Sequence, residues 1–357
     1  MFGGRPVPAG RIWYIVHHSH PLLWEGGLEP VRLGFLGLGW WGGVLAAAAR
    51  ASGAAEVVAS FSNSPEKRAA FVERHGGRSL ESVDAVLAAP EVEGVVIATP
   101  HSTHGDLIEA AAAAGKHVFV EKPLTLTVAS GKRAIRATEH AGVILQVGHN
   151  RRRQPANRRI KAMIDSGELG RIVMLEGNQS SPAGNNPKLV AWRRDPREAP
   201  VGGMTGNGIH LVDDFDYFVG HATRLFAFSK KLDSPLPLDE VTAVVIEYAS
   251  GPLGYIGTSA FTSEITDLTV YGKEAVAWNI EEGSKLYVQR RDEDERHRVE
   301  VETIDTVADE LAEFATGIRT GSQPETGGPE GLEAVAVLEA IQESARTGRP
   351  AELQHFR

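Results

Sequence analysis

Glu121-Lys122-Pro123 joins a carboxyl, an amine and a rigid ring in three consecutive residues. At the carboxyl edge of a nucleotide-binding sheet, such a lysine is a proton-transfer group beside a cofactor. On an ordinary surface it is only a solvated cation before a turn. Oxidising a secondary alcohol moves a hydride away while a proton leaves the hydroxyl, and the proton acceptor works best with a pKa near the operating pH. A free lysine ionises near ~10.4, so bringing it to ~7 takes roughly 4–5 kcal/mol, which desolvation in a cleft supplies. His210 is the second candidate, because an imidazole near ~6.5 exchanges protons at neutral pH without tuning. Asp213 follows one helical turn later, placed to orient that ring or to bind a substrate hydroxyl. The competing reading for His210 is a helix-capping or core role.

These groups need a cofactor and elements to hold them. Gly37-Leu38-Gly39-Trp40-Trp41-Gly42 directly follows an apolar strand at 31–36 and precedes an alanine-rich helix at 44–51. Strand, G-x-G-x-x-G, helix is the order a dinucleotide fingerprint requires. Gly37 allows the tight turn, Gly39 lets backbone approach a pyrophosphate, and Gly42 lets helix and strand pack closely. The phosphates then sit on the helix N-terminus, where free N–H groups and the dipole favour an anion. Of Trp40 and Trp41, one is expected over the cofactor or substrate entrance; the alternative packs both between domains.

The alternation continues with strands at 56–61, 95–99, 117–120 and 144–147 and helices at 65–75, 83–88, 103–114 and 128–141. It predicts right-handed crossovers and a doubly wound parallel α/β sheet of the Rossmann kind, with ligands beyond the carboxyl ends of its strands. Thr99, Pro100, His104 and Glu121 fall at that edge and are expected against the cofactor, His104 alternatively as a plain helix start. The second strand ends in Ser62-Asn63, where an acid would normally hold the ribose of NAD, and Lys67 and Arg68 follow. A missing carboxylate and nearby cations favour NADP over NAD. In the other reading, Ser62 and Asn63 hold NAD and the cations are merely solvated.

After about residue 150 the pattern becomes long strands with hairpin turns at Ser250-Gly251 and Gly272-Lys273, predicting a large, mostly antiparallel open sheet in an α+β domain. Two final helices, at 307–320 and 330–346, return over one domain or the other. The organisation is an extension at 1–30, a nucleotide domain at 31–150, and a substrate and oligomerisation domain at 151–357. Residues 1–30 read as a start-site extension or as a packing arm. A metal site at His17, His18 and His20 is the weaker reading, since no acid is interleaved with them. Trp192-Arg193-Arg194 offers an aromatic platform with two cations, suited to a sugar ring or to the carboxylate of a sugar acid or aromatic acid, and otherwise a solvated loop.

The 357 residues carry a formal net charge of -9 and no cysteine. The acidic balance argues against nonspecific nucleic-acid binding. The lack of cysteine excludes disulfides, thiolate catalysis and cysteine-ligated zinc. No apolar run reaches the ~18 residues of a membrane span. The composition fits a cytoplasmic globular protein with no metal.

Four stretches in order carry a family resemblance: the glycine loop, Ala98-Thr99-Pro100-His101-Ser102-Thr103-His104, Gly115 through Leu124 around Glu121-Lys122-Pro123, and Gly208-Ile209-His210-Leu211-Val212-Asp213. Gly148-His149-Asn150-Arg151-Arg152 supports them. The chain resembles the glucose-fructose oxidoreductase, inositol dehydrogenase and rhizopine-catabolism (Gfo/Idh/MocA) family of NAD(P)-dependent oxidoreductases. The resemblance implies hydride transfer on a sugar, cyclitol or related polyol, with Lys122 beside the nicotinamide ribose and the substrate hydroxyl. It also implies a Glu121 that orients Lys122 or meets the ribose, a cis Lys122–Pro123 bond, and a homodimer or homotetramer through the second sheet. Substrate contacts are expected from Lys122, Arg152, Trp192, Arg193, Asn207, His210 and Asp213. One position departs: where many members have Asp four residues before the histidine, this chain has Gly206, leaving Asn207 or another residue to replace it. A dehydrogenase of a cyclic aromatic-acid diol and a non-catalytic NADP(H)-sensing regulator are the competing functions.

Overall fold

In the computed structural model, which describes residues 29–186 and 189–357, β1 (Val31–Leu36) is buried at all but one residue. A strand buried on both faces needs helices on both sides, the condition under which parallel sheets form. The chain supplies them in alternation: α1 (Trp40–Ser52), β2 (Ala55–Phe61), α2 (Pro65–His75), β3 (Arg78–Ser79), α3 (Val83–Ala88), β4 (Gly94–Ile97), α4 (His104–Ala113), β5 (His117–Glu121), α5 (Val128–Ala141) and β6 (Leu145–Gly148). The six strands pair in parallel in the order β3-β2-β1-β4-β5-β6. The order reverses between β1 and β4, and the crevice at such a switch point is where ligands of doubly wound sheets bind.

Helix α1 starts at Trp40 rather than at 44, so Trp41 and Gly42 lie in its first turn and not in a loop; the bond from the Gly43 amide to the Gly39 carbonyl, 3.1 Å, closes that turn. The helix at 103–114 is likewise split. His101–Thr103 forms a 3-10 turn and α4 begins at His104.

The second half holds α6 (Pro155–Asp165), β7 (Ile172–Ser180), α7 (Ile209–Val219), β8 (Ala222–Lys230), β9 (Val241–Tyr248), β10 (Leu253–Ser259), β11 (Ile265–Gly272), β12 (Ala275–Ile280), β13 (Lys285–Arg290), β14 (His297–Val299), α8 (Thr306–Thr320), α9 (Gly328–Thr347) and β15 (Ala351–Glu352). Nine strands form one sheet in the order β14-β13-β12-β11-β7-β10-β9-β8-β15, antiparallel except where β7 meets β10. Helices α6, α7 and α9 cover one face. On the other, Val173, Phe228, Val245, Leu253 and Tyr255 stand exposed.

The last two helices divide their work. Leu311, Phe314 and Ala315 of α8 pack into the core beneath β1, with Phe314 edge-on to Phe119 of β5 at 5.9 Å. Helix α9 packs on α5 of the first sheet and on α7 and β8 of the second, so it ties the halves together. Of the extension at 1–30, positions 1–28 with the three histidines lie outside the described residues, while the Glu29 and Pro30 carbonyls each accept from Arg319 at 3.1 Å.

Candidate active site

The glycine loop is built for close approach. Gly37 has φ +92, and a Cβ there would lie 2.4 Å from the Ala98 carbonyl oxygen. A Cβ on Gly42 would lie 2.2 Å from the Gly37 carbonyl oxygen, so a side chain at either would force strand, turn and helix apart. Gly39 differs: a Cβ there would meet nothing within 4 Å. It caps α1, whose first turn has neither a capping side chain nor an acid. Unsatisfied N–H groups facing open space at a helix N-terminus fit a pyrophosphate. Trp40 is 79% exposed, which removes the reading that both tryptophans pack between domains. Trp41 turns inward and favours the charged form of Glu121, although its indole N–H reaches no hydrogen bond of good geometry.

Ser62 and Asn63 follow β2 at the same edge, with Asn63 exposed. Of the two cations expected there, Arg68 is spent: its guanidinium donates to the Ser62 carbonyl at 2.8 Å and to Glu81 at 3.1 Å. Lys67 is exposed and has no ion pair among the described residues.

Glu121 ends β5, and Lys122 and cis Pro123 follow. The Lys122 ammonium donates to the carbonyl of Gly206 from the second half of the chain. Burial drives its pKa down to about 8 against the pull of Glu121, with Arg193 and Arg151 adding to the drop. That corresponds to roughly 3 kcal/mol of lost preference for the charged form. Burial pushes the Glu121 carboxyl up, opposed by Lys122, and its Oε1 has no hydrogen-bond partner. Behind it, α8 contributes Glu310, fully buried with both oxygens unpartnered and held well above the carboxylate range by burial and by Glu121. Gln146 of β6 donates to the Glu310 carbonyl at 2.8 Å.

His104 does not offer a ring nitrogen to the cofactor edge as expected. Its Nδ1 lies 2.8 Å from the Pro123 carbonyl and its Nε2 3.1 Å from that of Thr99. It therefore clamps together the two loops that carry Thr99, Pro100 and Lys122. His101, which the sequence reading left unassigned, is buried, with Nδ1 2.7 Å from the Glu198 carbonyl and a pKa driven down to about 3 by burial. Glu198 accepts from the Ser102 amide at 2.9 Å and from its hydroxyl. That residue docks the segment around 191–208 onto the first domain, which brings Trp192, Arg193, Gly206 and Asn207 into one cleft with His101. The Trp192 ring meets His101 edge-on at 5.1 Å. Asn207 donates to Ser181 Oγ at 3.0 Å. A Cβ on Gly206 would meet nothing within 4 Å, so the cleft stays open there.

His210, in the first turn of α7, is buried with Nδ1 unpartnered. Its pKa is not near 6.5 as expected: burial, then Lys122, Arg151 and His149 push it well below. At neutral pH it is an uncharged ring that can share a hydrogen bond but not a ready acid. Asp213 does not orient it. The Asp213 carboxylate pairs in a buried fork with Arg152, at 2.6 and 3.0 Å, so neither is free for substrate as expected. Two charged groups taken from water satisfy one another first. The group overlooked in the sequence is His149, just beyond β6, fully buried with both ring nitrogens unpartnered. Its ring stands perpendicular to that of His210 at 6.3 Å, and its Nδ1 is 4.0 Å from Asp213. Its position after a parallel strand was the available signal.

The family pattern described as "Oxidoreductase family, NAD-binding Rossmann fold" matches residues 31–149, and "Oxidoreductase family, C-terminal alpha/beta domain" matches residues 161–353. The chain is 28% identical to inositol 2-dehydrogenase of Rhizobium meliloti (strain 1021), over 89% of its own length and 98% of that protein's. It is 28% identical to 1,5-anhydro-D-fructose reductase of Ensifer adhaerens, over 86% and 93%. The crystal structure of aldose-aldose oxidoreductase from Caulobacter crescentus, complexed with glycerol, superposes with a TM-score of 0.83 at 25% identity, covering 90% of this chain and 99% of that one.

Asp214 generates a prediction about stability. Burial and its neighbour Asp213 push its carboxyl up to about 8. The folded state thus holds a proton that the unfolded chain releases near ~3.9, so this group's contribution falls as pH rises from about 4 to about 8. Asp214→Asn keeps a neutral group of similar shape. In urea denaturation it is expected to lose less stability than the wild type between about pH 5 and pH 8, by roughly 1 kcal/mol or more. Identical pH slopes would mean that Asp214 folds ionised.

Proposed function

The chain belongs to the Gfo/Idh/MocA oxidoreductase family, and from that membership we propose that it transfers a hydride between NAD(P) and a secondary alcohol or ketone of a sugar, cyclitol or related polyol. The observation that carries this reading is Lys122, with its pKa lowered to about 8 and held between buried Glu121 and the Gly206 carbonyl. The nicotinamide, when bound, supplies the hydride acceptor or donor. The free N–H groups of the α1 N-terminus would hold the pyrophosphate, and the loops at Thr99–Pro100 and Glu121–Lys122 would line the nicotinamide end. In oxidation the substrate C–H bond breaks with its electron pair leaving as hydride, and the O–H proton passes to the neutral Lys122 amine. In reduction the Lys122 ammonium returns a proton to the carbonyl oxygen. His210, uncharged, shares a hydrogen bond with the reacting oxygen and fixes its direction. Glu121 sets the Lys122 charge balance from behind.

NADP is the favoured cofactor in this proposal, because Ser62 and Asn63 bring no carboxylate against a 2′-phosphate and unpaired Lys67 lies one turn away. The exposed apolar face of the nine-stranded sheet is the surface through which we expect two or four copies to assemble, since a patch of this kind on a soluble protein marks an interaction site.

Three measurements check these points. The kcat/KM for alcohol oxidation is expected to rise with pH and level off above about pH 8. Lys122→Ala is expected to lower it by about 10²–10⁴-fold and to abolish that rise, while cofactor still binds; full activity in this variant refutes the mechanism. Catalytic efficiency is expected to be higher with NADP than with NAD, and Lys67→Ala to erase the difference; a strong NAD preference overturns the NADP assignment. The native mass is expected to be that of a dimer or tetramer, and Val245→Lys to shift it toward monomer; a monomeric wild type ends that proposal.

A further inference from the structure

The cleft around Lys122 carries more positive than negative charge. Arg193 and Arg151 depress the Lys122 ammonium, and Lys122 and Arg193 depress His101. The carboxyl facing them is Glu121, whose ionisation burial opposes. The other carboxylate on the cleft wall, Glu198, spends both oxygens on Ser102.

The cations differ in what they already hold. Lys122 donates to the Gly206 carbonyl. Arg151 donates to Glu282 at 2.9 Å, and Gln179, in the amide orientation that satisfies both its ends, accepts from Arg151 and donates to the Asn207 carbonyl, each at 3.1 Å. The Arg193 guanidinium lies over the Trp192 ring, 4.7 Å from its centroid, with no hydrogen bond or ion pair to any described residue. Beside it, Gly206 leaves open space where a side chain would otherwise stand.

An exposed guanidinium lying over an aromatic ring at the cleft, with its fork of N–H donors unused by any described residue, can meet a planar, bidentate anion. The Trp192 ring beside it adds an apolar surface on which the carbon skeleton of a sugar can rest. We propose that the substrate carries a carboxylate read by Arg193: a polyhydroxy carboxylic acid that presents a secondary hydroxyl to Lys122 and its carboxylate to the Arg193–Trp192 platform. This rests on the hydride-transfer reading of the same cleft and narrows its substrate class. One unpaired guanidinium matches the single charge of a carboxylate. A phosphomonoester brings ~1.5–2 negative charges and more acceptor oxygens than one fork satisfies.

The test uses the full-length protein with saturating cofactor and pairs each neutral sugar with its acid: glucose with gluconate and glucuronate, galactose with galactonate, with glucose 6-phosphate and myo-inositol alongside. The acids are expected to exceed their neutral partners in kcat/KM by about tenfold or more. Arg193→Gln is expected to erase that advantage through KM rather than kcat, with cofactor affinity unchanged, and Arg193→Lys to restore part of it. Added salt is expected to raise KM for the acids more than for the neutral sugars. Turnover of neutral polyols as good as that of their acids overturns the inference while hydride transfer stands. So does a preference for the phosphate ester, or a loss of cofactor affinity in Arg193→Gln. A protein that binds cofactor but turns over nothing in the panel overturns both readings.

Discussion

A lysine amine removed from water next to a buried carboxyl is the interaction on which the rest of this structure depends. Lys122 and Glu121 share the end of one strand, and neither is stable there alone: burial opposes both charges and each supports the other. Holding the pair takes parts from the whole chain. β5 supplies the residues, Gly206 supplies the acceptor in front, and α8 supplies buried Glu310 behind. The last of these arrives about 190 residues after Glu121 in the sequence, so the first domain completes its own site only with chain that has already built the second.

The surrounding contacts keep that pair in place before any ligand arrives. His104 joins the Thr99 and Pro123 loops, and Glu198 joins the second half to Ser102. Fully buried Arg153 donates to Asp309 at 3.0 Å and to Glu313, and so pins the turn after β6 to α8. That turn carries His149, Arg151 and Arg152 into the cleft region. Polar groups fixed in advance need not reorganise when charge develops, which is how a preorganised site lowers a barrier. Four of the buried unpartnered atoms lie where these fixed elements meet: Glu121 Oε1, His149 Nδ1 and Nε2, and His210 Nδ1.

Much of the architecture was legible because it rests on local rules. The glycine loop between strand and helix, the alternation up to β6 and the change to long strands afterwards each follow from periodicity and turn chemistry. The start of α1 was misplaced because glycines read as loop, whereas Gly42 is inside a helical turn whose spacing only Ala98 and Gly37 explain. Arg152 and Asp213 looked like substrate ligands because they are polar residues in supporting motifs. Separated by 61 positions, they meet in the fold and neutralise one another. Of Lys67 and Arg68, adjacent and alike in charge, the first has no ion pair among the described residues and the second is bound to Ser62 and Glu81.

The sequence by itself determined the class of machine: a dinucleotide-binding sheet, a lysine at its carboxyl edge and a histidine on a later helix. Residue type and spacing along a few segments suffice for that. The tertiary structure decided the electrical state of each group. It lowered Lys122 to about 8, kept His210 uncharged, paired Asp213 away from it, and left Arg193 over Trp192 with no ion pair among the described residues. Charge states follow from burial and from neighbours distant in sequence, and both exist only once the chain has folded.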